Sequence, residues 1–130
     1  MEKQTNRKYD LEERLISFAL QVSKIVDSLP NSRLGNHLAN QMIRSGTSPA
    51  FNYGEAQSAE SPNDFIHKVK IILKELREIR IGLILVQRAD LMKNVEMINS
   101  AISENNQLIA IFVKSIETAR KNQKENKKED

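Results

Sequence analysis

Three stretches of the chain repeat apolar residues at alternating steps of three and four, and nowhere does an apolar–polar alternation of period two persist. Leu11, Leu15, Phe18, Val22, Ile25 and Leu29 form the first series, and Phe65, Val69, Ile72, Leu76, Ile79, Leu83 and Val86 the second. Val95, Ile98, Ile102, Asn105, Ile109, Phe112 and Ile116 form the third, with one polar intruder. A repeat near 3.5 residues belongs to helices that lie nearly parallel or antiparallel and bury one stripe each. A chain of 130 residues has room for one such core and not for two ordinary domains.

The punctuation between the stripes agrees. Asp10 precedes the first with Glu13 three residues on, the pattern of a capping box. Leu29-Pro30-Asn31-Ser32 ends that helix and offers Asn31 or Ser32 as the next cap. Ser61-Pro62-Asn63-Asp64 supplies a cap, a first-turn proline and an acid before the third helix, and Asn94 can cap the fourth. Short loops make consecutive helices antiparallel neighbours. The second helix, about 33–59, starts its stripe at Leu34, Leu38, Met42 and Ile43 and is then interrupted by Ser45-Gly46-Thr47-Ser48-Pro49. Helical spacing resumes at Ala50, Tyr53, Ala56 and Ala59, so the expectation is one continuous, kinked helix. The fold class is an all-α, antiparallel up-down-up-down four-helix bundle over 10–119. Residues 1–9 read as a flexible N-terminus, and 120–130, with no apolar residue after Ala119, as a disordered charged tail.

Composition removes several functions. Cysteine is absent, which excludes disulfides, thiolate nucleophiles and Cys-bound metals, and tryptophan is absent too. The opening residues hold no apolar leader, and the longest apolar run, Ile81 to Val86, is far short of the ~20 residues that cross a bilayer. A cytoplasmic protein without a membrane partner is expected. Of the two histidines, only His67 has an acid three residues before it, Asp64, whereas a di-iron bundle needs two Glu-x-x-His motifs and two further acids. His67 and His37 read as exposed side chains. Ser45, Thr47 and Ser48 have no base beside them and read as packing or back-bonding groups. Glu75 and Glu78 lie beside Lys74 and Arg77 and read as an ion-paired helix surface. No phosphate-binding glycine loop or hydrolase motif occurs. The expectation is no cofactor, no metal and no catalytic activity.

Charge and surplus apolar surface point elsewhere. The net charge of +3 resides in the two termini, because 11–119 is balanced at 12 bases and 12 acids. Within that neutral body the third helix has an excess of bases: Lys68, Lys70, Lys74, Arg77, Arg80 and Arg88 against Asp64, Glu75 and Glu78. Lys70, Lys74 and Arg77 share one helical face, a phosphate-binding footprint or a solvated surface. Lys70, Lys74, Arg77, Arg80 and Arg88 are therefore the candidate nucleic-acid-binding residues, although no aromatics interleave with them. Ile71, Ile81 and Leu85 lie off the main seam of the third helix and are the candidate oligomer interface.

The run Asn52-Tyr53-Gly54-Glu55-Ala56-Gln57, followed by Ser61, Asp64-Phe65-Ile66-His67-Lys68 and Lys74-Glu75-Leu76-Arg77-Glu78, resembles the four-helix bundle proteins encoded in intervening sequences of bacterial large-subunit ribosomal RNA genes, formerly labelled S23 ribosomal proteins. Gln41-Met42-Ile43-Arg44-Ser45-Gly46-Thr47-Ser48 is similar to the family's second helix. The resemblance spans roughly 10–118 and extends to the accessory variability determinant of diversity-generating retroelements. It implies an up-down-up-down bundle assembled as a homopentamer, with RNA or DNA bound through basic surfaces. In the accessory branch it also implies a reverse-transcriptase partner. The chain departs from the family pattern at Pro49 and at Ile79-Arg80-Ile81-Gly82, where the family often has Thr-Arg-Tyr-Trp. Arg44, Asn52, Glu55 and Lys68 are expected to form a structural polar network fixing helix register, with Glu55 pairing to Lys68 or Arg77. The alternative to a nucleic-acid role is a structural or protein-interaction bundle.

Overall fold

The computed structural model describes the backbone of residues 7–129 and the side chains of 11–126. Four helices follow one another: α1 (Arg7–Asp27), α2 (Arg33–Gln57), α3 (Pro62–Arg88) and α4 (Val95–Glu129), with no strand among the described residues. Local chemistry sets most of their ends. Ser32 caps α2 by accepting from the Gly35 amide at 3.0 Å, and Ser61 caps α3 by accepting from the Asp64 amide at 3.0 Å. Pro62 occupies the first turn of α3, and Asn94 Oδ1 accepts from the Met97 amide at 3.1 Å to start α4. Helix α3 stops in a Schellman motif: the Leu91 amide reaches the Val86 carbonyl and the Asp90 amide the Gln87 carbonyl. Asp90 takes the left-handed position at φ 54, usually filled by glycine.

Two expected boundaries move. Helix α1 starts at or before Arg7, so Asp10 lies inside it and is not its cap. The charged tail is drawn into α4, which continues as helix to Glu129, and the Gln123 amide donates to Asn63 at 2.7 Å. Residues 1–6 of the expected flexible N-terminus lie outside the described residues.

Each helix packs on two others, in the ring order α1–α2–α3–α4, and α4 closes back on α1 through the slimmest seam. The core at the centre is made of the expected stripes except for Val95, Leu34 and Ile43, which are exposed. Leu15, Phe18, Val22 and Ile25 come from α1, Ile72, Leu76, Ile79 and Leu83 from α3, and Leu108 and Phe112 from α4. Tyr53 of α2 meets Phe112 edge to face across the ring, centroids 5.8 Å apart. Asn105, the polar intruder, is fully buried and donates to the Leu76 carbonyl at 3.0 Å. That bond ties α4 to α3 at one register. Arg14 bridges the slim seam with a two-pronged contact to Glu104 (2.8 and 3.0 Å), which raises the Arg14 pKa and keeps it charged.

Helix α2 is continuous through Pro49. Of the hydroxyl groups expected to back-bond, Thr47 does so, whereas Ser45 donates across the seam to Glu78 and Ser48 accepts from Asn52. Thr47 donates to the Ile43 carbonyl at 2.8 Å, and the Asn52 amide donates to the Ser48 carbonyl at 3.0 Å. Gly46 lets α1 come close: a Cβ there would lie 2.7 Å from Val22 Cγ1.

Candidate nucleic-acid interface

Helix α3 owes its surface to where its acids go. Asp64 is taken up at the helix start, where its carboxylate accepts from the Glu60 amide at 3.3 Å. Glu75 is buried and faces α2, with Arg44 Nη1 3.6 Å away. Glu78 accepts from Ser45 Oγ at 3.2 Å and lies 3.7 Å from Arg44 Nη2. The expected pairing of Glu75 and Glu78 with Lys74 and Arg77 on the α3 surface is therefore replaced by contacts across the α2–α3 seam. Among the described residues, Lys70, Lys74, Arg77, Arg80 and Arg88 are all exposed and none is in a salt bridge. Lys68 is the compensated base of the helix. Its Nζ donates to Glu55 at 2.7 Å, which raises the Lys68 pKa.

The five free bases run along α3 from residue 70 to residue 88, about 27 Å at 1.5 Å per residue. One strand of a DNA duplex carries about eight phosphates over that length. The register of α4 extends the surface. Gln123 bonded to Asn63 at one end, and Gln87 bonded to Asn99 at the other, fix α4 antiparallel to α3. The exposed Arg120 and Lys124 of the charged tail are thereby set beside the start of α3. Midway, Arg77, Arg80, Ile81, Asn106 and Ile109 line a groove between the two helices.

The expected polar network divides in two. Glu55 pairs with Lys68 toward one end of the α2–α3 seam, and Arg44 serves Glu75 and Glu78 further along it. Asn52 joins neither, because its amide is spent on Ser48 within its own helix. Glu75 and Glu78 were missed as partners of Arg44, and Glu78 as the acceptor of the Ser45 hydroxyl, since only the folded seam brings them together. Ile71, Ile81 and Leu85 also separate. Ile71 is half-buried, while Ile81 and Leu85 lie exposed one turn apart, about 15 Å further along the helix. Ile81 stands among the arginines. The most exposed large apolar side chains are Phe51 at 74% on α2 and Leu20 at 62% on α1; Phe51 shares the edge of α2 that carries Arg44 and Glu55, which reach α3, while Ile16 lies one turn from Leu20 on α1. The contact of Gly46 with Val22 puts Ile16 and Leu20 level with the Phe51 region.

His37 and His67 are exposed, and among the described residues no three His, Asp or Glu side chains gather as metal ligands would. No described helix is long and apolar enough to cross a membrane. These features define an all-α four-helix bundle with a row of exposed bases along α3. The 23S rRNA-intervening sequence protein model matches residues 7–125, and the chain belongs to that family. A solved structure, that of a protein of unknown function from the S23 ribosomal protein family of Bacteroides thetaiotaomicron, is similar in fold with a TM-score of 0.74. It is 28% identical, and the match covers 82% of this chain and 97% of that one. No curated protein matches the chain.

Proposed function

We propose that the protein is a non-enzymatic bundle that binds RNA or DNA through the outward face of α3 and the adjoining part of α4. One observation carries this reading: α3 turns its acids away and leaves Lys70, Lys74, Arg77, Arg80 and Arg88 in solvent without ion partners among the described residues. Uncompensated bases along one helix attract phosphates over a Debye length, and their effect grows when copies are repeated in an assembly. The family's link to ribosomal RNA genes is consistent with such a ligand and does not specify it.

A second observation favours self-association. Leu20 and Ile16 on α1 and Ile43 on α2 expose apolar surface on the α1–α2 side, opposite the α3–α4 seam in the ring order. Subunits meeting there would keep every α3 turned outward. This replaces Ile71, Ile81 and Leu85 as the proposed contact, because burying Ile81 would also bury two arginines that lack partners. A reverse transcriptase remains a partner to be tested only where the gene adjoins one.

The test is titration with a structured RNA across a salt series. The logarithm of affinity should fall with the logarithm of salt by about 0.7–0.9 per phosphate neutralised. Replacing Lys70, Lys74 and Arg77 together by Ala should flatten that slope and leave the melting temperature nearly unchanged. A folded protein that ignores RNA at low salt would leave the structural, protein-interaction reading in its place.

A further inference from the structure

We propose that the groove between α3 and α4 receives one unpaired nucleotide of a single-stranded nucleic acid, with its phosphate held by Arg77 and Arg80 and its base laid on Ile81 and Ile109. The proposal rests on the α3 face being a nucleic-acid surface and adds what that surface distinguishes. The groove has a volume of about 400 Å³, within the range of small-ligand pockets, and is lined by Arg77, Arg80, Ile81, Asn106 and Ile109. Those five residues combine three chemistries at one place. Two guanidinium groups supply donors for a phosphate and planes on which a base can stack. Two isoleucines supply an apolar floor for the face of a base. The Asn106 amide offers both a donor and an acceptor to a base edge.

Charge complementarity selects this occupant over others. The lining contains no acid, and the bases that flank the groove along α3, Lys74 and Arg88, are unpaired as well. A second copy offering an apolar surface would strip water from Arg77 and Arg80 and return no partner. A duplex would satisfy the arginines but keep its base faces stacked inside, leaving Ile81, which is 54% exposed, in water. A splayed nucleotide uses the cationic and the apolar lining together. The groove lacks the aromatic platform of most single-strand binders, so arginine planes and aliphatic side chains take that part.

The experiment compares three probes by fluorescence anisotropy at one salt concentration: a single-stranded RNA of eight nucleotides, the same backbone with every base removed, and the matching RNA duplex. The base-bearing single strand is expected to bind about fivefold more tightly than the abasic one, the low end of the worth of a stacked base, because the floor is aliphatic and not aromatic. Ile81→Ser and, separately, Asn106→Ala should reduce that advantage and leave abasic binding unchanged. Arg77→Ala should weaken both single strands and lower the salt slope by about one contact. Ile81 and Asn106 are exposed, so neither variant threatens folding. Equal binding of all three probes would overturn the groove reading while leaving the basic face in place. Failure of all three to bind at low salt would overturn both. Loss of an oligomer on Ile81→Ser, measured by sedimentation, would assign Ile81 to a subunit contact and also overturn it.

Discussion

Helices α1 and α2 carry six bases against five acids, while α3 and α4 carry twelve against eight, and the two pairs occupy opposite sides of one ring. The α1–α2 side is nearly neutral and exposes apolar side chains to solvent at Ile16, Leu20 and Ile43. Its seam is tight because Gly46 has no side chain to hold Val22 off. The α3–α4 side is basic where it meets solvent, and a buried hydrogen bond from Asn105 to the Leu76 carbonyl helps to hold its seam. Both sides draw on the same apolar core, so the difference lies in what each leaves outside. One side is suited to a second protein surface and the other to a polyanion.

The largest effect should come from the core that both sides share. Leu76 is fully buried, and Leu76→Ala should lower stability by about 2–5 kcal/mol in thermal or denaturant unfolding, through lost transfer energy and a cavity. Under the proposed reading, loss of that size should weaken RNA binding and self-association at once, so it serves as the reference for the rest. Next is the α1–α2 seam. Gly46→Ala drives a Cβ into a β-branched valine, where overpacking costs about 1–3 kcal/mol and the gain in helix propensity offsets up to ~1 of it. A lower melting temperature is expected. The same change at Gly54, where a Cβ would meet nothing within 4 Å, should raise stability by about 0.5–1 kcal/mol, measured in the same way. The smallest effect on folding belongs to the exposed faces. Leu20→Ser should shift stability by no more than about 0.5 kcal/mol and reduce the sedimenting mass toward that of one chain. If Leu20→Ser leaves the mass unchanged and Leu85→Ser lowers it, the assignment of the two sides is reversed.

What was legible in the sequence was what neighbouring residues decide. Ser32, Ser61 with Pro62, and Asn94 cap their helices through bonds spanning three residues, and the apolar stripes became the core because periodicity fixes which face is buried. The pairing of Glu55 with Lys68 was also within reach, being confined to one helical hairpin. The fate of Glu75 was not. Local spacing joined it to the bases of its own helix, whereas the folded seam gave it to Arg44, more than thirty positions away. That reassignment is what leaves the α3 bases unpaired, and local spacing gave no sign of it. The groove was invisible for the same cause: Asn106 and Ile109 reach Arg77 and Arg80 only through the antiparallel register of α4. The charged tail misled because a lack of apolar residues argues against burial, and a helix extended from a packed one needs none.

Lysine footprinting tests the division between the two sides most directly. The folded protein would be acetylated briefly at low salt, with and without saturating RNA, and each lysine quantified by mass spectrometry. Lys70 and Lys74 on α3 should lose most of their reactivity when RNA is present, and the exposed Lys24 on α1 should keep its own. Protection of Lys24 with Lys70 and Lys74 unchanged would contradict the account.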